Sequence, residues 1–77
     1  MEKEIRARIE EQLLSHDTEK IEVVIDGNRA NIEVVSDGFV GMSRVARQQL
    51  IYSCINDLIQ DGRLHAVSIT TRTLSEI

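Results

Sequence analysis

The sequence predicts an α+β domain in which helices cover one face of a three-stranded sheet. Two features of the first half support this class: an apolar repeat at helical spacing, and two alternating runs joined by an Asp-Gly-Asn turn. The second half adds a long i, i+4 apolar stripe followed by a further alternating run. The predicted order is α-β-β-α-β-α, and 77 residues suit one small domain, residues 1–77.

The first half predicts a helix and a hairpin. Apolar residues recur every fourth position among charged neighbours, which is typical of an amphipathic helix, here ending near residues 15–17. Residues 20–25 and 30–36 then alternate on either side of a turn at 26–29, so we expect an antiparallel pair of strands. The apolar residues of the helix are Ile5, Ile9 and Leu13.

The second half predicts a long helix and a third strand. Ser43 is a suitable N-cap, and Gly62 stands where a left-handed C-cap is expected. The strand should begin at Leu64 or His65, and residues 73–76 match a capping box that opens a last helix. The helix stripe comprises Ala46, Leu50, Cys54 and Leu58, widened by Ile51, Ile55 and Ile59. We expect Leu50, Cys54 and Leu58 to share the covered sheet face with the first helix.

Composition excludes several classes of function. The chain has no nucleophile–base motif, no phosphate loop and no Cys/His pair at zinc spacing, so we predict that it is not an enzyme. One Phe, one Tyr and no Trp leave few stacking platforms for single-stranded nucleic acid. The charged start, with no apolar run behind it, argues against a signal peptide or membrane span, and the single cysteine suits a reducing compartment, so we expect a cytoplasmic location.

Charge is uneven along the chain. Residues 1–38 carry a balance of −5 and residues 39–77 a balance of +1, for a net charge of −4. A basic patch that could meet anions is therefore confined to the second half. Its members are Arg44, Arg47, Arg63 and Arg72. Arg44 and Arg47 oppose the dipole of the predicted helix, so either they mark a site or they point into water.

The two histidines and the single cysteine, the chain's candidate nitrogen and sulfur ligands, each allow a structural and a functional interpretation. His65 lies at the mouth of the third strand on the face of Val67 and Ile69, where it is either a hydrogen-bonded structural residue or a ligand. For His16, near a helix end, the structural interpretation is favoured. Cys54 lies on the apolar stripe, which favours a buried, inert thiol over a reactive one.

Three stretches carry a family resemblance. They are Phe39-x-Gly41-Met42-Ser43-Arg44-Val45, Arg47-Gln48-Gln49-x-x-Tyr52 and Leu64-His65-Ala66-Val67-Ser68-Ile69. Over residues 37–71 the chain resembles the BolA family, most closely its IbaG-like branch. The resemblance implies a KH-like fold in which the segment after Ser43 is split into two helices around Ser53.

The resemblance also implies a function. Family members pair with monothiol glutaredoxins and share a [2Fe–2S] cluster to which the glutaredoxin and glutathione supply thiolates. The residue that matches the family's histidine ligand is His65, and Arg44, Arg47 and Arg63 are candidates to contact the cluster or glutathione. The implied protein is a non-enzymatic adaptor in iron–sulfur trafficking or in an iron or stress response. We expect no cluster in the isolated protein, which would be a monomer or weak homodimer, and apo iron–sulfur proteins as further partners.

Departures from the family pattern keep alternatives open. The turn at 26–29 has no soft ligand where many relatives carry His or Cys, and Leu74 stands where relatives often have proline in a longer C-terminal helix. An alternative function is a nucleic-acid-binding transcriptional regulator that binds DNA weakly through a KH-like surface. Its residues would be Gly38, Gly41, Arg44 and Arg47. A third possibility is an interaction module without metal.

Overall fold

The computed structural model describes all 77 residues and confirms the α+β class. The sheet has the strand order β1-β2-β3, with β1 antiparallel to β2 and β2 parallel to β3. Single 3₁₀ turns follow β2 at Asp37–Phe39 and β3 at Leu74–Glu76. The helices and strands are α1 Glu2–Gln12, β1 Thr18–Asp26, β2 Arg29–Ser36, α2 Arg44–Gln60 and β3 Ala66–Arg72.

The two faces of the sheet differ in burial because side chains alternate along each strand. On the covered face, one row of paired residues is apolar from edge to edge, whereas the next row on the open face is polar. The covered row is Val23, Ile32 and Ile69, and the open row is Glu22, Glu33 and Thr70. The core therefore lies on one side of the sheet, and α1 and α2 supply its other half.

The core-facing side of α2 differs from the predicted stripe. Leu50 and Cys54 are only half-buried, whereas Ile51 and Ile55 are fully buried together with Leu58. The apolar residues of this helix come in pairs that are adjacent in sequence, and adjacent residues point about 100° apart around the helix axis. The sequence pattern therefore allowed either member of each pair to face the core. Because α2 packs on α1 as well as on β3, the arc centred on Ile51 and Ile55 faces the core.

Two predicted boundaries in the second half of the chain change. α2 runs unbroken from Arg44 to Gln60, so the predicted split around Ser53 is wrong. The hydroxyl of Ser53 donates to the Leu50 carbonyl 2.6 Å away, and no glycine or proline interrupts the helix. β3 begins at Ala66 rather than at Leu64 or His65.

The C-terminal segment is a single 3₁₀ turn with the predicted capping box. The backbone N–H of Thr73 donates to Oε1 of Glu76 at 2.8 Å. The turn lies against the start of α2, because Glu76 also forms an ion pair with Arg47. None of the helices combines the length and the apolar character that crossing a membrane requires.

Candidate functional site

Backbone hydrogen bonds fix the loop between α2 and β3. Gly62 adopts φ +84°, a left-handed conformation that glycine reaches without strain, and its N–H donates to the Ile59 carbonyl. Leu64 is buried, and its N–H donates to the carbonyl of Leu58 at 3.1 Å. The chain therefore leaves the helix through the predicted glycine cap and is anchored again two residues later.

His65 follows this anchor and lies beside the β1–β2 turn. Its N–H donates to the carbonyl of Asn28 at 2.8 Å, and the same carbonyl lies 3.4 Å from the N–H of Ala66. Gly27 has φ +62° at the first central position of the turn, as a type II′ hairpin turn requires. The turn and the start of β3 thus hold the backbone of His65 on both sides.

The imidazole of His65 is exposed and faces the glycine cap. A Cβ atom placed on Gly62 would lie 4.0 Å from Nε2 of His65, with no nearer heavy atom. Nowhere in the chain do three or more His, Cys, Asp or Glu residues come together in a group that could hold a metal ion. The site is therefore one exposed nitrogen donor on a fixed backbone, which fits the role of a single ligand contributed to a metal centre.

Arg63 is the one candidate arginine that the chain places next to His65. Nε and Nη2 of its guanidinium each lie 2.9 Å from Oδ2 of Asp61, and Nη1 lies 3.9 Å from Oε1 of Glu4. The hydrogen bond with Asp61 raises the pKa of Arg63 and lowers the pKa of Asp61. Arg63 is 48% exposed, so it remains available to an anionic partner.

Arg44 and Arg47 lie at the opposite end of α2. The 17 residues of the helix span about 25 Å, so these arginines do not belong to the His65 site. Arg44 is exposed at the first helical position, where the Ser43 side chain caps the helix by accepting from the N–H of Ala46. A partner contact by Arg44 or Arg47 stays a prediction, and it would lie on a different part of the surface.

Arg47 is buried and makes its contacts within the chain. Nε donates to the carbonyl of Met42 at 3.1 Å, and the two terminal nitrogens donate to the two carboxylate oxygens of Glu76 at 2.7 and 3.3 Å. The guanidinium also lies 5.9 Å from the centre of the Phe39 ring. These contacts lower the pKa of Glu76 to about 2, chiefly through the hydrogen bond from Arg47.

The two glycines of the alternative nucleic-acid site have different surroundings. A Cβ on Gly38 would lie 2.9 Å from Leu13 and 3.2 Å from His16, so close packing of the first helix end requires glycine there. Gly41 has φ +81° and no neighbour within 4 Å of such a Cβ. Of the two residues between them, Phe39 is fully buried and Val40 is exposed. The binding role of these residues stays a prediction.

The sequence did not predict two hydrogen-bond acceptors of the candidate residues, and it predicted more burial for the Cys54 thiol than the structure shows. The carbonyl of Asn28 and the carboxylate of Glu76 left no local signal, since their contacts join residues 37 and 29 positions apart. Cys54 is half-buried, with Sγ 3.5 Å from the Leu50 carbonyl, and burial raises the pKa of its thiol. A raised pKa reduces thiolate reactivity, in agreement with the inert interpretation.

The fold and the site together define a small α+β protein that presents one exposed histidine on a hydrogen-bonded loop. The structure superposes on BolA1 from Arabidopsis thaliana with a TM-score of 0.86 and 28% identity, covering 99% of this chain and 94% of that one. It superposes on the BolA domain of SufE1 from Arabidopsis thaliana with a TM-score of 0.83 and 33% identity, at the same coverage.

The sequence comparisons agree with this likeness. The chain is 42% identical over 57 residues to the acid stress protein IbaG of Escherichia coli K12, covering 71% of this chain and 68% of IbaG. The family model described as BolA-like protein matches residues 6–76. The chain belongs to the BolA family, as residues 37–71 predicted.

Proposed function

We propose that this protein is a non-enzymatic adaptor that supplies His65 as one ligand to a [2Fe–2S] cluster shared with a monothiol glutaredoxin and glutathione. The observation that carries the proposal is the exposed imidazole of His65, whose backbone is hydrogen-bonded on both sides. Family membership supports the same role, and the alignment of His65 with the family histidine comes from the motif at residues 64–69.

The backbone contacts around His65 suit a ligand offered to a partner. A backbone that is fixed before binding loses little conformational entropy when the partner arrives, which favours association. Gly62 keeps the flank of Nε2 free of side-chain atoms other than hydrogen. Arg63, two positions before His65 in the chain, is 48% exposed, and we expect its guanidinium to exchange Asp61 for the anionic cluster or a glutathione carboxylate when the partner binds.

One neutral nitrogen ligand also has a chemical consequence. When imidazole replaces a thiolate on iron, the centre carries less negative charge, and mixed Cys/His ligation raises the reduction potential of a [2Fe–2S] cluster. The turn beside His65 carries Asn28 and Arg29, which provide no soft donor. We therefore expect the chain to contribute one ligand, with every other ligand coming from the partner and glutathione.

The test is to co-purify the protein with a monothiol glutaredoxin and glutathione and to record the visible spectrum of the complex. His65→Ala should lose the mixed-ligand spectrum, whereas His65→Cys should keep a cluster whose spectrum and potential move toward all-thiolate values. His16→Ala is the matched control, because it removes the other histidine, which is also exposed. An unchanged spectrum in His65→Ala would refute the proposal.

A second measurement separates cluster ligation from simple association. Glutaredoxin binding is measured by calorimetry without iron for the wild-type protein, His65→Ala and Arg63→Gln. We expect His65→Ala to retain metal-free binding and to lose only the cluster complex. If metal-free binding accounts for the whole affinity and no cluster forms with the wild-type protein, the chain is an interaction module without metal.

A further inference from the structure

The outer edge of β3 borders a groove that the His65 site does not use. The groove has a volume of about 470 Å³ and lies between this edge, from Ile69 onward, and the N-terminal part of α2. Its other lining residues include Met42, Arg44, Arg47, Gln48, Arg72 and Glu76. Three arginines and one glutamate give the groove a formal balance of +2 in a chain whose net charge is −4.

The outer edge of β3, which borders this groove, carries backbone hydrogen-bonding groups that do not pair with β2. The N–H of Ala66 faces β2, since it points to the carbonyl of Asn28, and alternate residues of a strand point their backbone groups to the same side. The N–H and C=O groups of Val67, Ile69 and Thr71 therefore point away from the sheet. Gln48 confirms this direction, because its Nε2 donates to the Ile69 carbonyl at 2.7 Å from the α2 side.

The two edges of the sheet differ in how well they resist pairing with another strand. β1 carries four charged residues along its length and a register irregularity between Thr18 and Lys20, and both features oppose edge-to-edge pairing. β3 carries no proline and only one charged residue, Arg72 at its end. The unprotected edge is thus also the edge with the basic groove.

We propose that this groove binds an extended acidic segment of a partner protein, which adds to the sheet as a fourth strand beside β3. Strand addition supplies main-chain hydrogen bonds, and charge complementarity supplies the preference for acidic side chains. Arg44 is the principal anchor, because Arg47 and Arg72 already pair with Glu76 and Glu33. Ile69 can accept a peptide N–H beside Gln48, since a carbonyl oxygen has two lone pairs.

The test uses a fluorescent peptide of about six residues that alternates Glu and Val, matched to a strand length. Two derivatives carry N-methyl groups on alternate amides, one along each edge of the peptide. Strand addition uses one edge only, so we expect one derivative to lose affinity about tenfold or more and the other to bind like the parent. Equal affinity of all three peptides would overturn the proposal, because binding would then be purely electrostatic.

Variants locate the binding. Arg44→Gln should weaken the acidic peptide about fivefold, whereas Arg6→Gln, an exposed arginine on α1, should leave its affinity unchanged. His65→Ala should also bind the peptide like the wild type, so the outcome does not depend on the proposed iron–sulfur role. Equal effects of Arg44→Gln and Arg6→Gln, or equal affinity for a Lys-Val peptide, would count against the groove.

Amide exchange provides a residue-level measurement with an internal control. Peptide binding should slow exchange of the N–H groups of Val67, Ile69 and Thr71, whereas Ser68 and Thr70 already bond to β2 and should change little. Uniform slowing along β3 would contradict strand addition. A single-stranded oligonucleotide that competes for the groove and binds more tightly than the peptide would assign it to nucleic acid instead.

Discussion

The two ends of helix α2 use positively charged and titratable side chains in opposite ways. At the C-terminal end the backbone makes the contacts, and the His65 side chain is left exposed. At the N-terminal end the Arg47 side chain makes the contacts, with Met42, Glu76 and the ring of Phe39, and is itself buried. His65 is therefore available for binding because backbone hydrogen bonds hold its loop, whereas Arg47 is committed to contacts within the chain.

This difference separates residues that stabilise the fold from the residue of the proposed function. Arg47 ties the C-terminal turn to α2, so replacing it should lower the free energy of unfolding without touching the His65 end. His65 contributes little buried surface, so replacing it should remove the proposed ligand without unfolding the domain. Each of the following predictions tests one end of α2 separately from the other.

The largest effect is expected for Leu64→Ala, which removes the apolar anchor before His65. Leu64 is 1% exposed within the core, so the truncation should lower the free energy of unfolding by about 2–5 kcal/mol. Leu50→Ala is the matched control, because Leu50 is only half-buried and should cost less. Urea denaturation measures both variants, and equal losses would show that the observed rotation of α2 is wrong.

The next effect is expected for Arg47→Ala, at the other end of the helix. Losing its hydrogen bonds to Met42 and Glu76 should cost about 1–3 kcal/mol of unfolding free energy. Arg44→Ala, three residues away and exposed, should change stability by less than about 0.5 kcal/mol. The same denaturation measurement decides, and similar losses in the two variants would contradict the structural role of Arg47.

Local signals were sufficient to predict most of the fold. The repeat of Ile5 and Ile9, the turn with Gly27 and the cap at Gly62 each rest on short-range geometry, and the structure confirms all of them. The unbroken α2 also had a local basis, since residues 44–60 contain no helix-breaking residue, but the family resemblance favoured a split at Ser53.

Contacts between distant residues explain what the sequence could not predict. The pairing of Arg47 with Glu76 depends on β3 returning the chain to the start of α2, so the helix pattern alone left Arg47 as a candidate for partner contact. The rotation of α2 depends on α1 and β3 together. His65 was found through the family motif, but its exposure and its tie to Asn28 required the packed hairpin.

A smaller effect is expected from acid, which acts on the Glu76 half of the Arg47 pair. The pKa of Glu76 is lowered from 4.5 to about 2, first by the hydrogen bond from Arg47 and then by the N–H of Thr73. A lowered pKa stabilises the fold above pH 4.5, and this contribution is lost as the pH falls toward 2. The stability difference between the wild type and Glu76→Gln should therefore shrink over this range. If the stability difference between the two proteins stays constant from neutral to acidic pH, the ion pair of Glu76 with Arg47 does not stabilise the fold.

The smallest effect on stability is expected for His65→Ala, and it tests whether backbone contacts alone hold the site. Alanine keeps the N–H that donates to Asn28 and leaves the buried Leu64 in place, while only an exposed ring is lost. The free energy of unfolding should change by less than about 0.5 kcal/mol, measured by urea denaturation beside His16→Ala. The amide of residue 65 should also keep its protection from exchange, because its acceptor is unchanged. A loss well above this value would mean that the imidazole supports the loop, and the contrast between the two ends of α2 would then fail at its functional end.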